Sequence, residues 1–407
     1  MSSVHIMVRG TGRGFVRAII ATDEALTNVV STSDLTELDK NYLHAKLKVN
    51  GLASGTLYFV GFELNGILKT ERGRFRTPAA TPHNFSFAFG SCWNHTWPDN
   101  RFIFNNISNK ADNGEIDFFF HLGDIHYADI EVNNEGLFHK EIAWLRPNDS
   151  RAKLMTRMPM YYMWDDHDYG PNNSSSNSPS RPTALKFFRN TVPVTCESSV
   201  LSDGVYYSFI RGRVRFIVTD VRSERTPAGN EWDPVIPPED RYVLSPKQEQ
   251  WFKSECLAAQ SAGQSIVWAN TYPFVTTNTD DHRSDSWGAF HLYRQQLVDW
   301  MSANNLNNRI VIIAGDMHAL AYDDGTSTSN VGALKVCHAA PLDTGTSQKG
   351  GPYLLGPITT TRTQYGLMDV TDAGTGNITF RFRGISVSES SAAETVGIDQ
   401  TFTLLAA

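Results

Sequence analysis

Five apolar segments of this chain end in side chains able to hold a metal ion. Cys92 follows Phe85-Ser86-Phe87-Ala88-Phe89, and Asp124 with Tyr127 follows Phe118-Phe119-Phe120-His121-Leu122. The cluster Asp165-Asp166-His167-Asp168 follows Met160-Tyr161-Tyr162-Met163-Trp164, Asn270 follows Ile266-Val267-Trp268-Ala269, and Asp316 with His318 follows Ile310-Val311-Ile312-Ile313-Ala314. An aspartate after a buried run, with a tyrosine three positions on, offers a cation two anionic oxygens. Taken singly, an aspartate in such a place is most often a turn former or a helix cap. Five polar clusters together change that reading, because loops at the carboxyl ends of strands in an open α/β sheet converge on one rim. A metal centre on that rim is the expectation.

The elements that position these residues are strands alternating with amphipathic helices from residue 84 onward. That grammar predicts a layered α/β domain whose helices cover the sheet. The near-continuous apolar runs, with Phe216-Ile217-Val218 as another, suit strands buried on both faces. Helices are expected over 100–110, 137–156, 183–191 and 291–304. One more opens at Ser245-Pro246-Lys247-Gln248, with a capping serine, proline at the first helical position and glutamine closing the capping box. Alternation in Gly366-Leu367-Met368-Asp369-Val370 and Ile378-Thr379-Phe380-Arg381-Phe382-Arg383 adds late strands. The serine- and asparagine-rich stretch from Gly170 to Pro179 reads as a mobile surface loop placed where a lid would lie.

Residues 1 to about 80 alternate in the strand manner in Phe15–Ile20, His44–Val49, Leu57–Leu64 and Gly73–Thr77. Turn signals between the runs argue an all-β sandwich, its first strand missing or very short. Leu52-Ala53-Ser54-Gly55-Thr56-Leu57-Tyr58 resembles the tyrosine corner of fibronectin-type modules. The chain is therefore expected to divide at a Pro78–Pro82 linker into residues 1–80 and 84–407.

A length of 407 residues accommodates a large domain and a smaller one. With 41% hydrophobic and 19% charged residues and a net charge of −7, nothing favours nucleic acid or an anionic membrane as partner. An anionic substrate would need local cations. No run approaches the roughly 20 apolar residues of a membrane span, and Met1 to Gly14 lacks the apolar core of a signal peptide. Cys92, Cys196, Cys256 and Cys337 show no C-x-x-C spacing. A Cys196–Cys256 disulfide stays open.

Gly123-Asp124-x-x-Tyr127, Asp166-His167-Asp168, Val267-x-x-Asn270 and Gly315-Asp316-x-His318 resemble the ordered blocks of the calcineurin-like metallophosphoesterases. Gly90-Ser91-Cys92, Trp164-Asp165-Asp166-His167-Asp168, Asp220-Val221-Arg222, Gln250-Trp251, Trp287-Gly288 with Arg294, and Gly315-Asp316-Met317-His318 are similar, more narrowly, to the PhoD-like alkaline phosphatases and phosphodiesterases. The resemblance implies a four-layer α-β-β-α sandwich behind a small fibronectin-like domain. It also implies hydrolysis of phosphodiesters and phosphomonoesters at a dinuclear or multinuclear metal site. The family is commonly exported, and the residues from Met1 onward, which show no export signal, leave the compartment open. Where the superfamily usually has asparagine, histidine and histidine, this chain has Asp166, Asn270 and Asp316, so its second site is poorer in nitrogen.

The donor types sort the metals. Cys92, Asp124, Tyr127 and His318 form an anionic set with one imidazole, which favours ferric iron. A phenol titrates near ~10, so the ion itself must deprotonate Tyr127. Asp124 as bridge, with Asp166, Asn270 and Asp316, offers only oxygen and suits calcium, then magnesium or manganese. Two ions roughly 3.5–4 Å apart would activate hydroxide and neutralise phosphoryl charge. His167, between carboxylates that raise its pKa, is placed to protonate the leaving alkoxide, and Asp168 to orient it. Arg222 offers a guanidinium fork for phosphate, or else an ion pair with Asp220 or Glu224. Arg225 and Arg283 are further cations. Trp93, Trp97 and Trp287 belong either to the core or to an apolar leaving-group pocket, and His126 is a residue behind the metals, a substrate contact or a surface imidazole.

The expected substrate is a small phosphate ester, a class that includes phospholipid and nucleotide-derived esters. Two other readings compete. A calcium-stabilised adhesion or binding protein would hydrolyse nothing, and an iron-dependent enzyme of another class would need an open, redox-active iron and a reductant.

Overall fold

The computed structural model describes residues 2–80, 82–94, 101–143, 149–195, 203–327 and 332–406. The amino-terminal alternation forms an antiparallel ribbon of Ser2–Arg9 with His44–Leu52. A second sheet runs in the order Val29–Thr32, Phe15–Ala21, Leu57–Leu64, Ile67–Leu68, with Thr36–Glu37 and Gly73–Arg76 also paired onto it. Their alternate residues, among them Val16, Ala18, Ile20, Leu47, Val49, Val60 and Phe75, make a separate core. The first strand is thus present and eight residues long, contrary to expectation. Its apolar residues Val4, Ile6 and Val8 are only half-buried against that core, which explains the weak pattern.

The remainder is mixed α/β on two larger sheets. One has the order Met160–Tyr162, Phe118–His121, Phe85–Gly90, Gln364–Thr371, Ile378–Val387, Glu394–Leu404, its first three strands parallel. The other has the order Tyr207–Arg211, Val214–Val218, Ser265–Ala269, Ile310–Ala314, Lys335–Ala339, Leu320–Asp323, Leu355–Ile358, with Val214–Val218 through Lys335–Ala339 parallel. Phe87 and Phe118 of the first sheet meet Phe216 of the second with ring centroids 5.4 and 5.6 Å apart, so a common core joins the sheets. Each such buried ring contributes about 1.5–3 kcal/mol relative to exposure. Ile217, Ile266 and Ile312 point the other way, into a second core with Phe252 and Cys256 of the helix Pro246–Ser261 and Leu297 and Met301 of the helix His291–Ala303.

Helices Arg101–Asp112 and Arg181–Thr191 lie where the periodicity places them. The expected helix 137–156 becomes two, Glu135–Glu141 and Ser150–Arg157, because Asn134 and Asp149 cap fresh starts by accepting from the amides of Gly136 and Arg151. Residues 144–148 between them lie outside the described residues. The strands Leu320–Asp323, Lys335–Ala339, Leu355–Ile358 and Glu394–Leu404 went unread.

The stretch from Gly170 to Pro179 departs from the mobile-loop expectation. Ser174, Ser175 and Ser178 are buried, the Asn173 amide donates to Asp166 Oδ2 at 2.6 Å, and Ser175 Oγ donates to the Ala228 carbonyl at 3.1 Å. Polar composition here means local hydrogen bonding, not solvation. Among the described residues no helix is long and apolar enough to cross a membrane.

Candidate metal centre

Every predicted ligand follows a parallel strand or its loop, and the two parallel runs bring those loops to one rim. Ser91 Oγ accepts from the amide of Asp316 at 3.0 Å, and the amides of Cys92 and Trp93 donate to the carbonyls of Gly123 and Asp124 at 3.0 Å each. The approach is close enough that a Cβ on Gly315 would stand 2.3 Å from Ser91 Oγ, and one on Gly123, at φ 96°, 2.4 Å from Asp165 Cβ. Cys92, Asp124, Asp316 and His318 all adopt left-handed backbone, at φ 64°, 58°, 61° and 56°. Such strain in non-glycine residues clusters where side chains must be aimed.

The donors converge. One atom each from Cys92, Asp124 and His318 lie within 4.8 Å of one another, as do Asp124, Asp166 and His167, and also Asp124, Asp165, Asp166 and Asp316. Tyr127 Oη stands 3.2 Å from both Asp124 Oδ2 and His318 Nε2, and Cys92 Sγ 3.3 Å from Asp124 Oδ2. Asp124 is common to all three groups. Its Oδ1, Oδ2 of Asp165 and Oδ1 of Asp166 are buried and accept no hydrogen bond among the described residues. Buried carboxylate oxygens without donors are costly, so this donor set fits cations. Burial, then the neighbouring carboxylates, raises the Cys92 thiol, and burial, then Asp124, raises the Tyr127 phenol. A bound cation is what would draw those protons off.

Asn270 is fully buried at the end of its strand. Its Nδ2 donates to the Tyr272 carbonyl at 2.9 Å and its Oδ1 accepts from Trp287 Nε1 at 3.0 Å, which fixes the amide's orientation and leaves the oxygen one lone pair.

His167 belongs to the cluster, but its partner is Asp129: Nδ1 and Oδ1 are 2.6 Å apart. Although burial works against the charge, Asp166 and Asp124 hold His167 up at about 10. Asp166 is correspondingly down at about 2, where Arg222 and then His167 outweigh burial.

Asp168 lies elsewhere than expected. Its carboxylate accepts from the amides of Asp124 and Ile125 at 2.6 Å, of Asp165 at 3.1 Å and of His126 at 3.2 Å, so it holds the ligand loop and not the imidazole. Arg222 is also corrected. It is an ion pair, with different partners from those expected: Nε donates to Asp165, Nη1 lies 2.7 Å from Asp285 Oδ1 and Nη2 3.4 Å from Asp166 Oδ1. From Arg222, Asp220 accepts the backbone amide at 3.1 Å and not the guanidinium.

The other candidates divide. Arg225 is buried against Asp285 at 3.2 Å, whereas Arg283 is exposed and forks onto Asp281. Trp93 and Trp287 are fully buried, and Trp97 lies outside the described residues. The adjoining cavity of ≈ 390 Å³ is polar, lined by Asn172, Asn173, Thr276, Arg283, Ser286 and Lys349 among others. His126 is buried, not a surface imidazole. Cys256 is a free buried thiol, and Cys196 lies outside the described residues.

Sequence reasoning missed Asp129, Asp165 as a contributor to the cluster, Asp285 and Lys349. Lys349 Nζ donates to both oxygens of Asp316, at 2.9 and 3.2 Å, and approaches Asp285 Oδ2 at 3.5 Å. Asp165 stood in view inside its motif. Asp129 and Lys349 carried no signal, since only the folded chain brings them to the rim.

A family model described as PhoD-like phosphatase matches residues 87–336. Alkaline phosphatase D of Bacillus subtilis (strain 168) is 25% identical over 352 residues, 74% of this chain and 57% of that protein, so the chain spans little more than half of that relative's length. The solved structure of PhoD has the same fold, with a TM-score of 0.78 at 19% identity over 99% of this chain and 88% of the other.

Proposed function

Since the chain belongs to the PhoD-like phosphatase family, we propose that it hydrolyses phosphate esters, diesters and monoesters alike, at a centre holding unlike metal ions. The observation that carries this reading is the pair of buried carboxylate oxygens, Asp124 Oδ1 and Asp165 Oδ2, that accept no hydrogen bond among the described residues, next to Asp166, a thiol, a phenol and an imidazole. Cys92, Asp124, Tyr127 and His318 would hold ferric iron, and Asp124, Asp166, Asn270 and Asp316 calcium or another hard divalent ion. When bound, such ions supply Lewis acidity and a water-derived nucleophile at neutral pH.

The chain's own residues then divide the work. His167, steadied by the Asp129 carboxylate at Nδ1, donates the proton to the leaving alkoxide. Asp168 sets the loop that presents Asp124. Arg222 braces Asp165 and Asp285 behind the site. The polar cavity beside Lys349 favours a hydrophilic leaving group over an aliphatic one.

The reading includes a four-layer α-β-β-α catalytic unit over 84–407 and a fibronectin-like unit over 1–80. In support, residues 16–75 have their own core, and Tyr58 Oη accepts from the Ala53 amide at 3.0 Å in the manner of a tyrosine corner. The test is elemental analysis of the purified protein alongside hydrolysis of p-nitrophenyl phosphate, its bis ester and a phospholipid. Metal-dependent cleavage of the first two is expected. Bound metal without hydrolysis would favour a binding protein instead.

A further inference from the structure

Lys349 opens a firmly held segment. Gly350 and Gly351 follow at φ 69° and 91°, and a Cβ on Gly350 would lie 2.5 Å from the Val275 carbonyl oxygen. The Gly351 amide donates to that carbonyl at 2.8 Å, and Tyr353 Oη donates to the Lys349 carbonyl at 3.4 Å. The backbone is therefore fixed, and the four-carbon side chain is the part with freedom. Its ammonium group contacts both oxygens of Asp316 and reaches towards Asp285, while the side chain, 35% exposed, forms one wall of the ≈ 390 Å³ cavity.

Resting on the reading of Asp316 as a metal ligand, we propose that Lys349 is a tethered counter-cation. Its ammonium group neutralises Asp316 and Asp285 before a divalent ion binds, and once the ion takes Asp316 it swings into the adjoining cavity to bind a phosphate oxygen of the substrate.

Charge and tethering carry the argument. Four carboxylates, Asp124, Asp165, Asp166 and Asp316, crowd within 4.8 Å, and Arg222 faces Asp165, Asp166 and Asp285. Asp316 is neutralised from the other side by Lys349. An ammonium group and a divalent ion on one carboxylate repel strongly where water is partly excluded. The displaced group cannot leave, because its backbone is pinned. It turns instead to the polar space it already borders, where a lysine serves phosphate as a point charge. Arg222 and Arg225 are buried in ion pairs and Arg283 is forked onto Asp281, so none of them matches this freedom.

The test is calcium titration of chelator-stripped protein by calorimetry, and steady-state kinetics of the metal-loaded protein, on wild type, Lys349→Met and Lys349→Arg. Lys349→Gln provides a second neutral variant should the methionine variant fail to fold. Without the competing ammonium group, calcium should bind at least about tenfold more tightly. With metal saturating, KM for p-nitrophenyl phosphate should rise about tenfold while kcat stays within about threefold, and Lys349→Arg should recover most of the KM. Unchanged or weaker calcium binding in the neutral variants, or an unchanged KM, overturns the proposal while leaving the functional reading in place. A wild-type protein that binds no divalent ion or cleaves no ester overturns both.

Discussion

Asp129 grips His167: the carboxylate oxygen and Nδ1 of the imidazole are 2.6 Å apart across 38 positions of sequence. A carboxylate at that nitrogen fixes the ring's rotation and favours its charged form. Replacing Asp129 by asparagine should lower kcat by about 10- to 100-fold, the range for groups that orient imidazoles at metal centres, with metal content unchanged. Steady-state kinetics with elemental analysis checks this, and an unaltered kcat would remove Asp129 from the mechanism.

Asp168→Ala acts through the fold. The substitution strands four amide groups of the ligand loops, of residues 124, 125, 126 and 165, and each buried donor left unpaired costs about 1–3 kcal/mol. The denaturation midpoint and the metal content should fall together. Loss of activity with both intact would restore a direct catalytic role.

Arg222→Met leaves the buried Asp165 without its ion-pair partner, while Asp285 keeps Arg225 and Lys349; stranding a buried carboxylate in this way typically costs about 3–5 kcal/mol. Chemical denaturation should register it. A variant of normal stability with a raised KM would instead make Arg222 a substrate contact.

Acid should loosen the junction between the amino-terminal strands and the α/β part. His139 stacks on Tyr42 at 3.7 Å and on His44 at 4.9 Å, facing Glu135, Arg9 and Asp39. Burial, reinforced by His44, holds His139 down at about 4 from its ordinary 6.5. A histidine whose folded value is depressed contributes stability that is complete above the unfolded value and lost as pH falls through the window between the two. Thermal stability should therefore decline from pH 6.5 towards 4, and His139→Phe, which keeps the ring stack, should flatten that slope. An equal slope in wild type and variant would contradict the assignment.

How much could be read in advance follows from where information sits along the chain. Cys92, Asp124, Asp166 and Asp316 were legible because buried parallel strands write continuous apolar runs, and polar residues at their ends stand out. The long helices were legible through period and capping, as at Ser245. Short strands such as Leu355–Ile358 were not, since four residues with a glycine and a proline carry no pattern. Asp129 and Lys349 were invisible for a different reason. Their meaning arises only from contacts 38 and 33 positions away in sequence. Arg222 shows the converse, since its position after a strand was read correctly while its partners depended on Asp285, 63 residues on.

Asp124 is common to all three donor groups among the described residues, so its removal is the most direct test. Asp124→Ala should be folded by circular dichroism, should lose both ions by elemental analysis and should cleave neither p-nitrophenyl phosphate nor its bis ester above background. A variant that keeps its metal and its turnover would contradict the account.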